Sequence, residues 1–229
     1  MKIGIMQPYF FPYIGYYQLM EAVDTYVIAD DLNYIKNGYI NKNSILLNNQ
    51  PFKISLQLFG ASQNKLINQI EVGENGPKLL STIKNAYKKA PFFKEVFPLL
   101  EDILLEKEKN LGRFLGNSLM KTAKYLEIEV DFLYSSEIEK DNSLKFDERI
   151  YDICHRLNGD HYINAIGGQK LYSKEKFAKH GIRLNFIQTH VIQYKQFNDS
   201  FVPNLSIIDV MMFNSKKDLK IFLNEYSLV

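Results

Sequence analysis

The 229-residue chain has no tryptophan and a single cysteine, Cys154. One thiol excludes an intramolecular disulfide and fits a reducing compartment. Neither sign of charge dominates: 28 basic side chains face 26 acidic ones, for a formal charge of +2. Such a balance supplies no electrostatic footprint for a nucleic-acid partner. No apolar run approaches the roughly 20 residues of a membrane span. The first residues lack the apolar core of a signal peptide. The expectation is a cytoplasmic protein with no membrane segment. No internal repeat and no low-complexity linker divides the chain. The four histidines, His155, His161, His180 and His190, are scattered, and none is spaced with Cys154 or an acid as a nucleophile–base pair would be. No His or carboxylate cluster has metal-ligand spacing. Nothing here excludes a homo-oligomer.

What is present is ordinary in bulk and uneven in detail. Apolar residues make up 46% and charged residues 24%, as in a soluble globular protein. Tyr and Phe number 15 and 16, and they concentrate between Tyr9 and Tyr39. Residues 2 to 6 form a short apolar run of the buried-strand kind. Pro8 and Pro12 bound an aromatic turn. Ile14, Tyr17, Leu19, Met20 and Val23 recur at helical spacing, and residues 25 to 29 read as a second strand. Strand, helix, strand in this compass is a βαβ unit, which implies a right-handed crossover and a parallel sheet.

An Asn-rich loop follows, then a hairpin pattern over 44 to 58 around Asn48-Asn49-Gln50. Residues 66 to 72 suggest another short strand. Helical patterns cover 77 to 89, 91 to 108 and 110 to 126. The βα rhythm then returns: strand 129–134, helix 146–157, strand 161–164, helix 173–180, strand 182–188, and two helices over 205–213 and 215–226. The reading is an α/β, Rossmann-like domain over 1–229. It has a mainly parallel sheet of about five strands and an inserted β-hairpin and helical section at roughly 37–127.

In open parallel sheets, ligands sit beyond the carboxyl ends of the strands where strand order reverses. Applied here, the rule gathers three groups. The first strand delivers Gln7 and Tyr9, and the second delivers Asp30 and Asp31. The strand at 161–164 delivers Asn164, Gly167, Gly168 and Lys170. Adjacent carboxylates can hold a hydroxyl, an ammonium group or a hydrated metal; a turn-initiating pair is the plain alternative. Glycines after a strand admit phosphate to backbone N–H groups, with Lys170 as a point charge, or they simply make a turn. Asn41 and Asn43 offer donors to hydroxyls or phosphates, or shape a loop. Phe10, Phe11, Tyr13, Tyr16 and Tyr17 can stack on a base or pyranose, or belong to the core, and Tyr9, directly at the strand end, is the exception expected to face a ligand. No cofactor motif is present, so the cofactor is unassigned, and a nucleotide is compatible with the turn. Cys154 reads as a buried structural thiol.

Met6-Gln-Pro-Tyr-Phe-Phe-Pro-Tyr-Ile-Gly-Tyr, Asp30-Asp31, Asn41-Lys-Asn and Tyr162-Ile-Asn-Ala-Ile-Gly-Gly-Gln-Lys-Leu-Tyr together resemble the WbqC-like family. Phe201-Val-Pro-Asn-Leu-Ser-Ile-Ile-Asp-Val is similar to that family's C-terminal signature. Many members have His where this chain has Met6. The resemblance implies a role in O-antigen or surface-polysaccharide biosynthesis. With the strand-end groups it suggests a transferase acting on a nucleotide-activated amino sugar, by acyl or aminoacyl transfer to the amine. In it Asp30 or Asp31 orients or deprotonates the acceptor. A second, more distant resemblance is to nucleotidylyltransferases of the HIGH superfamily. Tyr13-Ile-Gly-Tyr16 stands in the place of their His-x-Gly-His, with Gly15 kept and both histidines replaced. That layout implies a nucleotide near the first helix but not imidazolium chemistry. A non-catalytic binding protein of glycan assembly is the third expectation.

Overall fold

The computed structural model describes residues 1–229. The first βαβ unit forms as the pattern requires: β1 (Lys2–Met6), α1 (Ile14–Glu21) and β2 (Thr25–Ile28). β1 and β2 pair in parallel, with Ile3 level with Thr25 and Met6 with Ile28. Side chains alternate across the sheet as strand geometry demands. Tyr26 and Ile28 enter the larger apolar core, whereas Val27 joins Ile3 in the smaller one.

The inserted section begins with the hairpin of β3 (Lys42–Leu47) and β4 (Gln50–Ser55). Asn48 and Asn49 both have positive φ, 52° and 59°. That is the type I′ geometry that two-residue hairpin loops favour, and asparagine tolerates it better than most residues. A small pair, β5 (Leu58–Phe59) and β6 (Glu71–Val72), follows, with a single turn of 3₁₀ helix at Ile67–Gln69. Of the stretch 66–72 read as a strand, only the last part is one. Three helices complete the section: α2 (Gly76–Tyr87), α3 (Phe93–Leu104) and α4 (Leu111–Tyr125). Pro77 opens α2, and the Asn110 side chain caps α4 by accepting from the Arg113 N–H at 3.1 Å.

The chain re-enters the sheet with β7 (Asp131–Tyr134), α5 (Phe146–Arg156), β8 (His161–Ala165), α6 (Lys174–Lys179) and β9 (Arg183–Thr189). It ends with α7 (Ile207–Phe213), α8 (Lys216–Leu223) and β10 (Tyr226–Leu228). The spatial order is β10-β9-β8-β1-β2-β7. The five strands other than β10 are parallel, and β10 runs antiparallel to β9. The sheet therefore has six strands, one more than the pattern suggested. Residues to 226 read as helix, but α8 ends at Leu223, and Tyr226–Leu228 instead covers the open edge of β9. An unpaired strand edge is a strong acceptor of extended chain.

The two faces are covered unequally. α1, the hairpin, α2–α4, α7 and α8 share one continuous core on one face. α5 and α6 pack on the other, through Ile150, Ile153, Cys154 and Phe177.

Candidate functional site

From β1 the chain moves to β2 and β7 on one side, then crosses to β8 and β9 on the other. Strand order thus reverses between β1 and β8, where Gly4 is level with Ile163. The connections beyond Met6 and Ala165 lead to helices on opposite faces, the arrangement for which the rule places a crevice at the carboxyl edge. The turn from Gln7 to Tyr16 and the turn from Asn164 to Lys170 flank it.

The first turn is held from two sides. Phe10 and Phe11 are fully buried, and Phe11 has φ +43°, a left-handed conformation that costs a non-glycine residue about 1 kcal/mol or more. The Asn43 amide donates to the carbonyls of Phe10 (3.1 Å) and Phe11 (2.6 Å). The Ser206 hydroxyl also donates to Phe11 O, at 2.7 Å, and the Ile207 N–H at the start of α7 donates to Pro12 O, at 2.9 Å. The hairpin and the C-terminal helix therefore fix a turn that β1 launches.

Beyond that turn the aromatic side chains diverge. Tyr16 is buried, and its hydroxyl donates to the Gln7 carbonyl. Burial raises its pKa well above the ordinary phenol value, so it is a neutral donor. Tyr13 is 41% exposed, and its ring lies on Gly15 at the start of α1 beside Thr189 Oγ1. A Cβ at position 15 would strike both groups. The approach to Gly15 that the HIGH-type layout implies is thus occupied by the Tyr13 ring. Tyr9 is half-buried, with its ring centroid 5.5 Å from Tyr16 and 6.3 Å from Tyr39. Gln7 Nε2 makes one long bond, 3.4 Å, to Asn33 O.

The two carboxylates lie in the turn after β2 and meet different partners. Asp30 is 1% exposed and accepts from Ser136 N (3.0 Å), Ser136 Oγ (2.7 Å) and Asn68 Nδ2 (3.3 Å). It ties the inserted section and the β7–α5 connection to the central sheet. Asp31 faces two cations. Lys140 Nζ lies 2.8 Å from Oδ2, and Arg149 Nη2 lies 2.5 Å from Oδ1, the latter in ion-pair contact without hydrogen-bond alignment. The Lys140 side chain is almost wholly buried and also donates to Ser135 O. Burial pushes the Asp31 pKa up, but the Lys140 hydrogen bond and the Arg149 charge outweigh it and hold the carboxyl below its usual range. Asp31 is therefore a firmly ionised group with little tendency to take a proton.

The asparagines differ in what they have left to offer. Asn41 is buried, accepts from Tyr34 OH at 2.9 Å and donates to Leu56 O at 2.9 Å. Asn43 is engaged by the turn carbonyls and by Ser44 N at 2.8 Å. Both amides face backbone rather than the crevice. Asn164 accepts from Ala165 N at 2.8 Å, and its Nδ2 lies 2.6 Å from where a Cβ on Gly168 would sit. Gly168 is thus required by close packing. Gly167 has open space around it, and Lys170 is exposed.

The fold carries Gln7, Tyr9, Tyr13 and Tyr16 on the stretch after β1, and Asn164, Gly167, Gly168 and Lys170 on the end of the neighbouring β8 and the turn after it. Sequence reasoning did not anticipate Ser136, Lys140 and Arg149 as partners of the aspartates, Ser206 as the second anchor of Phe11, or Tyr39 beside Tyr9. Lys140 and Ser136 carry no periodic signal, and Tyr39 was one tyrosine among many. No three His, Cys, Asp or Glu side chains converge to hold a metal ion. Cys154 is buried, its thiol pushed up to about 12 by that burial. Two surface grooves of about 520 and 580 Å³ lie along α6. They are lined by such residues as Arg183 and Ile182, or Phe146 and Lys179, and include none of the crevice residues.

The model of the WbqC-like protein family matches residues 7–221. The uncharacterized protein Rv1507c of Mycobacterium tuberculosis (strain ATCC 25618 / H37Rv) is 25% identical over 218 residues, which span 93% of each chain. No solved structure matches the chain.

Proposed function

This chain belongs to the WbqC-like protein family, and on that premise we propose that it is an enzyme of O-antigen or surface-polysaccharide biosynthesis that binds a nucleotide-activated amino sugar. Family membership suggests the biosynthetic role. The substrate class is supported by one arrangement above all: strand order reverses between β1 and β8, so the aromatic Gln7–Tyr16 turn and the Gly167–Lys170 turn leave the same edge of the sheet. In this reading the diphosphate lies at Gly167 and Gly168, with Lys170 as its counter-charge. Gln7 and Asn164 meet polar groups of the ligand. Tyr9 and Tyr13 meet its rings, with Tyr16 as support beneath them.

The finer reading is acyl or aminoacyl transfer to the sugar amine. The free amine attacks the carbonyl carbon of an activated acyl donor, the donor's leaving group departs with its electron pair, and the nitrogen releases one proton. Asp31 and Asp30 act in this scheme by orienting groups. The cations at Asp31 make it a poor general base, and the oxygens of Asp30 already receive three donors. The released proton then passes to the leaving group or to solvent.

Isothermal titration with UDP-glucosamine, which carries the free amine, and with UDP tests the binding. The expected result is a measurable heat for both, weakened in Lys170→Ala and weakened further by salt. Absence of heat with either ligand in the intact protein would overturn the reading.

A further inference from the structure

We propose that Tyr39 and Tyr9 form one open aromatic wall that receives the pyranose ring of the sugar nucleotide, with Tyr39 as its specificity-determining outer member. The inference rests on the proposed sugar-nucleotide site and adds a residue and a ligand surface to it. Tyr39 comes from the inserted section, and its ring is 63% exposed although its backbone is fixed: Tyr39 O accepts from Phe10 N at 3.2 Å. Its centroid is 6.3 Å from that of Tyr9.

The shape favours a sugar over a base. Tyr9 and Tyr39 are inclined by 48°. They form a tilted surface, not a parallel slot into which a flat base would slide. A pyranose offers one face of C–H groups to such a surface and hydroxyls at its rim. Beside Tyr9 in the chain stands Gln7, whose amide reaches the carbonyl of the exposed Asn33. Lys36 and Lys42 are the nearby charges along the same loop, and Lys42 Nζ bonds to Lys36 O at 3.2 Å.

Saturation-transfer-difference NMR on the intact protein tests this, with UDP-N-acetylglucosamine, UMP and methyl N-acetyl-β-glucosaminide as separate probes. Irradiating the aromatic protons of the wild type should saturate the pyranose ring protons more than the uracil protons. Tyr39→Ala should weaken UDP-N-acetylglucosamine binding about 3- to 10-fold and Tyr39→Phe should leave it unchanged, because the ring face and not the hydroxyl makes the contact. Tyr39 is mostly exposed, so its thermal midpoint should stay at the wild-type value; a large drop would make Tyr39 a structural residue and overturn the proposal. Strong uracil saturation with a silent pyranose would overturn the wall and leave the sugar-nucleotide reading standing. Saturation of the methyl glycoside with UMP silent would support the wall and overturn the nucleotide part. No saturation of any probe would overturn both.

Discussion

The side-chain amide of Asn43 donates a 2.6 Å hydrogen bond to the carbonyl of Phe11, the one residue of the aromatic turn with a left-handed backbone. Asn43 lies on the inserted hairpin and Phe11 lies beyond the first strand. The hairpin is therefore the support that keeps the turn in its strained conformation.

Replacing Asn43 by Ala removes the donor and leaves two buried carbonyls short of a partner. The cost should be about 1–3 kcal/mol, read as a lower midpoint in urea unfolding. Asn43→Asp should be worse than Ala, because an ionised carboxylate would then face two carbonyl oxygens.

Asp31→Asn should be among the more damaging single changes in the chain. It leaves Lys140, which is almost wholly buried, and Arg149 without their counter-charge. Breaking such a buried pair costs roughly 3–5 kcal/mol. Lys140→Met should cost less, because Arg149 still neutralises Asp31. Comparing the two midpoints checks the order.

Asp31 and Asp209 should give stability slopes of opposite sign with pH. The folded pKa of Asp31 lies below its ordinary value, so its contribution is present above about pH 3.9 and lost as pH falls through the lower, folded value. Asp209 is fully buried and accepts from Tyr87 OH (2.8 Å), Tyr194 OH (2.6 Å) and Gln196 Nε2 (2.8 Å), with no cation among these partners. Burial raises its pKa in spite of those donors. A raised folded pKa contributes stability that is complete below the unfolded value and fades as pH rises through the folded one. Thermal midpoints across the acidic range should lose this decline in Asp209→Asn, and a decline that persists there would assign it elsewhere.

Gly15→Ala should separate fold from site. The new methyl would strike the Tyr13 ring and Thr189 Oγ1. Tyr13 is partly exposed and can swing away, so the midpoint should fall only modestly, by about 1 kcal/mol of stability or less. Binding of UDP-N-acetylglucosamine should fall more, because the displaced Tyr13 ring is one of the two proposed to meet the ligand. Calorimetric melting beside titration of the same preparation reads both.

Much of the architecture was legible because its causes are local. Residues 2–6 and 25–28 are apolar strands bounded by turn signals, and the spacing in α2, α3 and α4 follows one helical face. Asn48-Asn49 adopts the turn its chemistry favours, and Ser173, Ser206 and Ser215 cap the helices that follow them. The end of α8 was misjudged because Tyr226–Leu228 is extended for want of a partner on β9, a condition set by another strand. The site was legible only as a set of strand ends. Asn41 and Asn43 carry donors suited to a ligand, yet the hairpin turns those donors onto backbone carbonyls.

The sequence alone determined where strands, helices and the aromatic turn would be, because periodicity and turn chemistry act within a few residues. The tertiary structure decided which side of β1 receives β8, and so where the crevice opens. It also decided that Asp31 would meet Lys140 and Arg149, more than a hundred positions along the chain, and that Tyr39 would stand beside Tyr9. Those outcomes depend on which surfaces pack and which charges must be neutralised once buried, and such partner choices have no period along the chain.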